Sequence, residues 1–181
     1  MPLEKKQLSD SVTVVDRERI EPALIASFAP ETNRRSLKVV FAAQYLYPLV
    51  GGAEHTAHIT LQKLAGCGYR VEVICCGKPT CFQHGAVTIR KVSTAQHMRR
   101  AILESGPDVI ITQLNYAPAA VMAAKKLGVP VLLAVRSYEH VCPLPIAMIN
   151  CNRRCASCTH WLKQAGFMRA QRYAIENADV V

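Results

Sequence analysis

The sequence predicts an α/β fold, a doubly wound domain built on a parallel sheet. Three observations predict it: aliphatic runs without polar alternation, which suit strands covered on both faces; segments of helical period between those runs; and glycines or a Pro-Asp pair at the junctions. With 181 residues and 50% hydrophobic content, the chain has material for one sizeable core and no room for a second full domain.

The elements follow in order. Residues 1–36 have weak periodicity, scattered prolines and mixed charge, and read as a poorly ordered N-terminal arm; the domain proper occupies 37–181. Residues 37–43 are an aliphatic strand. Gly51-Gly52 then opens a helix that carries Ala57, Leu61 and Leu64 at helical spacing and stops at Gly66 and Gly68. Strands at 71–76 and 87–92, a helix at 95–104, a strand at 109–112 introduced by Pro107-Asp108, an alanine-rich helix at 119–127 and a strand at 129–135 complete the alternation. The segment 137–160 interrupts this rhythm as a Cys-rich irregular insertion. Residues 161–177 are again helical, and 178–181 read as the start of another strand. In such sheets ligands gather at the carboxyl ends of the strands, here 44–52, 77–84, 113–117 and 136–142.

The net charge of +9 favours an anionic partner. Its basic residues come as scattered pairs (Arg34 and Arg35, Arg99 and Arg100, Lys125 and Lys126, Arg153 and Arg154), not interleaved with stacking aromatics, so nucleic acid is disfavoured. The first residues are charged, and no apolar run is long enough to cross a bilayer. The expected location is cytoplasmic, with peripheral contact to an anionic membrane surface as a secondary candidate.

Gly51-Gly52-Ala53-Glu54 stands where a strand turns into a helix. Free backbone N–H groups and the helix dipole favour an anion there, and bare glycines let a phosphate approach. The same pair also serves to make the turn, and Glu54 complements the dipole of the first turn. There is no G-x-G-x-x-G and no G-K-[ST], which removes dinucleotide-fold dehydrogenases and P-loop nucleotidases. His55 and His58 lie three apart on one helix without the H-E-x-x-H arrangement of a zinc protease, and read as ordinary surface or core histidines.

Of the eight cysteines, Cys67, Cys75, Cys76 and Cys81 fall singly in a helix end, a strand and a loop and are assigned no chemistry. Cys142, Cys151, Cys155 and Cys158 fall in the irregular segment at spacings that allow convergence on one tetrahedral ion. Structural zinc is the first candidate and an iron–sulfur cluster the second; a loop with free thiols is the bland alternative. The Cys-x-x-x-Cys-x-x-Cys spacing also matches the triad of radical S-adenosylmethionine enzymes, but it comes late in the chain and has Ser157 where an aromatic usually stands.

The joint order of these pieces resembles the N-terminal domain of retaining glycosyltransferases of family 4, which have the GT-B fold. The matching pieces are Tyr47-Pro48-x-x-Gly51-Gly52-Ala53-Glu54 after the first strand, Gly68-Tyr69-Arg70-Val71-Glu72-Val73, Pro107-Asp108-Val109-Ile110, Gly128-Val129-Pro130-Val131, Tyr138 with Cys142-Pro143, and Ala178-Asp179-Val180-Val181. The resemblance implies a Rossmann-like domain on the acceptor side of a sugar transfer from a nucleotide diphosphate sugar to a sugar or lipid-linked acceptor. It also implies retention at the anomeric carbon and no obligatory catalytic metal. It places Gly51 and Gly52 near the donor phosphates; Arg136 is the candidate cation beside them, and Asn115 and Tyr138 are the candidate acceptor contacts. Arg136 and Ser137 stand where many members carry His-Asp; a guanidinium can pair with phosphate but cannot act as a base, so no catalytic residue is assigned. The nucleotide-binding domain of the family is absent from these residues, so a second domain or chain is expected to carry the donor site, and the domain alone is expected to be inactive. The alternative function is a metal-binding module on the same fold without transferase activity.

The cysteine spacing sets a first test. Protein purified without chelator should contain close to one equivalent of zinc by elemental analysis, released on treatment with a strong chelator; neither zinc nor iron near stoichiometry removes the site.

Overall fold

A computed structural model describes residues 36–46, 51–136 and 159–181. Six strands form one sheet in the order β3-β4-β2-β1-β5-β6, where β1 is Lys38–Ala43, β2 Arg70–Cys76, β3 Thr80–His84, β4 Val87–Val92, β5 Val109–Gln113 and β6 Val131–Ala134. All neighbours run parallel except β3 with β4. The helices are α1 (Gly52–Gly66), α2 (Ala95–Ser105), α3 (Ala117–Leu127) and α4 (Thr159–Asn177), with one turn of 3-10 helix at Leu114–Tyr116. This is a Rossmann-like α/β sheet wound in both directions from β1, as the aliphatic runs predict.

Side-chain alternation along the strands divides the core into two layers. Val40, Ala42, Ile74 and Ile110 pack with Met98 and Ile102 of α2, the alanines of α3 and Ala174 of α4. Phe41, Ala43, Val73 and Cys75 point the other way, onto Ala57 and Leu61 of α1. The short alanines of α3 let that helix lie close to the sheet. Gly106 and Gly128 end α2 and α3 in the left-handed conformation (φ 57° and 69°), which suits a residue without Cβ. No helix among the described residues is long and apolar enough to cross a membrane.

One element differs from the sequence expectation. Residues 80–84 fall within what reads as a carboxyl-edge loop, but Thr80–His84 forms the edge strand β3, paired Thr80↔Lys91 through His84↔Val87. The hairpin closes on Gly85, whose φ of 61° favours glycine. All five side chains of β3 are exposed, so no inward face leaves an alternating pattern to read. The first 35 residues and the insertion at 137–158 lie outside the described residues.

Two aspartates fasten the amino ends of the parallel strands in the same way. The Asp108 carboxylate, just before β5, accepts the Lys38 N–H at 2.7 Å, and its own N–H donates to the Lys38 carbonyl at 2.8 Å. The Asp179 carboxylate accepts the Val131 N–H at 2.8 Å while its N–H donates to the Val131 carbonyl at 3.1 Å, and Val180 bridges Leu132 in parallel. The Ala-Asp-Val-Val tail therefore begins to add a strand beside β6.

Among the described residues the buried charged side chain is that of Glu72 in β2. Its carboxylate meets Lys38 Nζ at 2.9 Å and Arg90 Nε at 3.4 Å, and accepts the Ser105 hydroxyl at 2.6 Å. A buried carboxylate with three donors is satisfied; removing it takes the shared anion from two cations and leaves Lys38 the Ser105 carbonyl and Arg90 the Glu104 carboxylate. Glu72→Ala should lower the unfolding free energy by about 2 kcal/mol, below the value for a fully buried pair because Lys38 and Arg90 keep some solvent. Urea unfolding checks this; an unchanged midpoint would mean the cluster contributes nothing.

Candidate functional site

The parallel strands deliver five chain segments to one edge. Gln44 and Tyr45 follow β1, Cys76 ends β2, Leu114–Tyr116 follows β5 and Arg136 lies just beyond β6; α1 begins at the same edge. Backbone bonds draw these turns together, with the Cys76 N–H donating to the Gln44 carbonyl at 3.1 Å.

At the start of α1, Gly51 is the N-cap, offers no side-chain cap, and is extended (φ 168°). Neither backbone freedom nor rigid packing requires a glycine here: a Cβ on Gly51 would meet the Glu54 carboxylate, the far end of a flexible side chain that folds back over it from the first helical turn and can swing aside. A Cβ on Gly52 would meet no atom of the described residues within 4 Å, so no packing among them demands a glycine there. Arg136 is exposed, and its guanidinium donates to the Ala53 carbonyl at 3.4 Å. The structure thus brings together the three residues expected at an anion, Gly51, Gly52 and Arg136, across a separation of more than eighty residues.

Asn115 sits in the 3-10 turn, half-buried. Its Nδ2 donates to Gln44 Oε1 at 2.6 Å, and the Gln44 amide donates to the Tyr45 hydroxyl at 3.0 Å. From α4, Gln171 Nε2 donates to Asn115 Oδ1 at 3.4 Å. Gln44, Tyr45 and Gln171 are members of this cluster that the sequence does not single out. Gln171 leaves one trace, a polar residue in a helix stripe shared with Met168 and Ala174, all three buried. Tyr138 and the four cysteines Cys142, Cys151, Cys155 and Cys158 lie outside the described residues. Among the described residues no group of three or more His, Cys, Asp or Glu side chains is placed to hold a metal. His58 instead packs its ring 5.7 Å from that of His84.

Two thiols at the end of β2 have different settings. Burial pushes the Cys75 thiol up, which suits an unreactive small hydrophobe. Cys76 stands beside Tyr116, whose hydroxyl is pushed up from 10.0 to about 12, first by its hydrogen bond with that thiol and then by burial.

The architecture is that of an α/β domain whose ligand edge combines an uncapped helix start, a tethered arginine and a cluster of side-chain amides. A family model described as the glycosyl transferase 4-like domain matches residues 51–181, from the glycine loop onward, and the chain belongs to that family. Among solved structures it is similar to the catalytic domain of starch synthase IV from Arabidopsis thaliana, bound to ADP and acarbose. The two are 16% identical with a TM-score of 0.45, over 58% of this chain and 35% of that one. No curated protein matches it.

The Tyr116 environment gives a pH test. Folding favours the neutral phenol, so its stabilisation is complete below the ordinary value of 10.0 and is lost as pH rises towards about 12. Spectrophotometric titration should show one tyrosine resisting ionisation until near the upper value, absent in Tyr116→Phe and moved down in Cys76→Ala. Ionisation of every tyrosine near the ordinary value would contradict the arrangement.

Proposed function

We propose that this domain forms the acceptor-side half of a glycosyltransferase that moves a sugar from a nucleotide diphosphate sugar to a hydroxyl acceptor with retention. The observation that carries the proposal is the convergence of Arg136 and the open start of α1 on one side of an edge whose other side holds Asn115. Family membership supports glycosyl transfer in general; donor class and retention are what the family resemblance implies, and the residue roles rest on the geometry of the edge.

In the transfer the bond from the anomeric carbon to the diphosphate oxygen breaks and a bond from that carbon to the acceptor oxygen forms. The acceptor proton leaves with the departing diphosphate. Negative charge therefore grows on the diphosphate, and preorganised donors aimed at it lower the barrier. The first-turn N–H groups of α1 and the Arg136 guanidinium are such donors. Arg136 acts as a fixed cation and not as a base. Since Glu54 lies over Gly51, an arriving phosphate displaces that carboxylate, exchanging one anion for another. The half-buried Asn115 amide, joined by Tyr138, holds the acceptor. The nucleotide would be held by a second domain or chain facing this edge, and Cys142, Cys151, Cys155 and Cys158 would be the ligands of a structural zinc or, as second candidate, an iron–sulfur cluster.

Residues 1–181 by themselves should bind a nucleotide diphosphate sugar weakly and salt-sensitively and should not turn it over, because positioning requires two facing walls. In calorimetric titrations with UDP-glucose, Gly52→Val and Arg136→Ala should each weaken binding about ten-fold, while Glu54→Gln strengthens it. Undiminished binding in the first two variants would place the anion elsewhere. Stoichiometric zinc with no sugar nucleotide bound would favour the metal-module alternative.

A further inference from the structure

The amide cluster contains a residue that folding alone does not account for. Gln171 is 0% exposed in α4, and its Oε1 has no hydrogen-bond partner among the described residues. Its Nε2 is engaged with Asn115 Oδ1, Asn115 Nδ2 with Gln44 Oε1, and Gln44 Nε2 with the Tyr45 hydroxyl. The amides thus form a directed chain, each donating to the next. Turning all three over leaves Gln171 Nε2 open instead of Oε1, so in either sense one buried polar atom of Gln171 stays unpaired.

An unpaired buried polar group costs about 1–3 kcal/mol, whereas an apolar side chain of the same shape carries no such penalty. Methionine would suit the stripe between Met168 and Ala174 better if packing were the only demand. What glutamine does there that methionine cannot is grip the far end of Asn115. The terminal torsion of an asparagine is soft. Bonded to Gln44 alone, the Asn115 amide can pivot; bonded to Gln44 and Gln171, its plane and the sense of its donor and acceptor are both set.

We propose that Gln171 is a positioning residue that fixes the Asn115 amide for recognition of a sugar hydroxyl; this rests on Asn115 being the acceptor contact. An amide offers two N–H bonds and two lone pairs. Gln44 takes one N–H and Gln171 one lone pair, which leaves one of each on the half-buried Asn115. A hydroxyl both donates and accepts, and matches that remainder. Fixing the amide dictates the direction from which a hydroxyl is accepted, and a site that hydrogen-bonds a hydroxyl discriminates against ligands lacking it. The open Gln171 oxygen is the consequence of a residue kept for its other end.

The test uses residues 1–181, unmutated and as Gln171→Met, with thermal unfolding and NMR of the side-chain NH2 protons. Asn115→Asp identifies the Asn115 signals. In the unmutated chain the Gln171 NH2 protons and the one Asn115 N–H bonded to Gln44 should be protected from exchange, with the two NH2 groups in dipolar contact; a freely exchanging Gln171 NH2 overturns the proposal even if the variant fails to fold. Gln171→Met should keep or raise the unfolding midpoint while its Asn115 NH2 protons exchange about ten-fold faster, the contribution of one hydrogen bond. A lowered midpoint with unmoved Asn115 signals would make Gln171 a packing residue and overturn it. With D-glucose as the hydroxyl probe, the Asn115 signals should shift in the unmutated chain and need about ten-fold more glucose in the variant. Glucose that moves nothing in the unmutated chain counts against Asn115 as the acceptor contact, while the exchange comparison still decides whether Gln171 positions it.

Discussion

Parallel pairing of β1 on both sides is the constraint from which the rest of the domain follows. Val39 pairs with Val71 on one side and Val109 on the other, and each residue from Val39 to Ala43 is buried. A strand so placed has no face for water, so helices cover both sides, and a parallel neighbour is reached only by a crossover. Every crossover leaves the sheet at the carboxyl edge and returns at the amino edge. Residues far apart in the chain, such as Gln44, Asn115 and Arg136, therefore share one rim without any sequence device to bring them together.

The two ends of the sheet treat polarity differently. At the amino end the polar groups are matched: Glu72 has three donors, and Asp108 and Asp179 each take a strand's first N–H. At the carboxyl end the matching is incomplete. Among the described residues Gln171 keeps an open atom, a Cβ on Gly52 would meet nothing within 4 Å, and Glu54 covers a glycine at a helix start without a side-chain cap. Fully paired polar groups make a structural latch; partly paired ones mark the place where something else completes the set.

How legible each part is in the sequence depends on whether its signal is local. The strands β1, β5 and β6 are largely aliphatic runs, β2 is one interrupted by Glu72, and β4 shows itself by alternation, with Val87 and Ile89 buried and Thr88 and Arg90 half-exposed. The edge strand β3 carries Thr, Cys, Phe, Gln and His on exposed positions, and nothing in its composition separates it from a loop. In the site, Gly51 and Gly52 show through their position before a helix, and Arg136 through its place after a strand. The partners of Asn115 do not show, because Gln44 and Gln171 lie 71 and 56 residues away and only the closed sheet brings them near. The alternation of side chains along β2 also hides Glu72, which looks like a polar interruption and is a buried hub.

The aspartate latch at Asp108 has a consequence in time. It joins residues 70 apart in the chain, as does the Thr112 hydroxyl that donates to the Ala42 carbonyl at 3.0 Å. During synthesis at roughly 5–20 residues per second, β1 has left the ribosome's catalytic centre on the order of four to fourteen seconds before its second neighbour exists. Until β2 is made β1 is open on both sides, and from then until residue 109 Lys-Val-Val-Phe-Ala-Ala keeps one unpaired edge of high strand propensity, the kind that pairs with copies of itself. The nascent chain is accordingly most exposed to aggregation before residue 109 emerges, and the arrival of Pro-Asp-Val closes that window by giving β1 its missing edge.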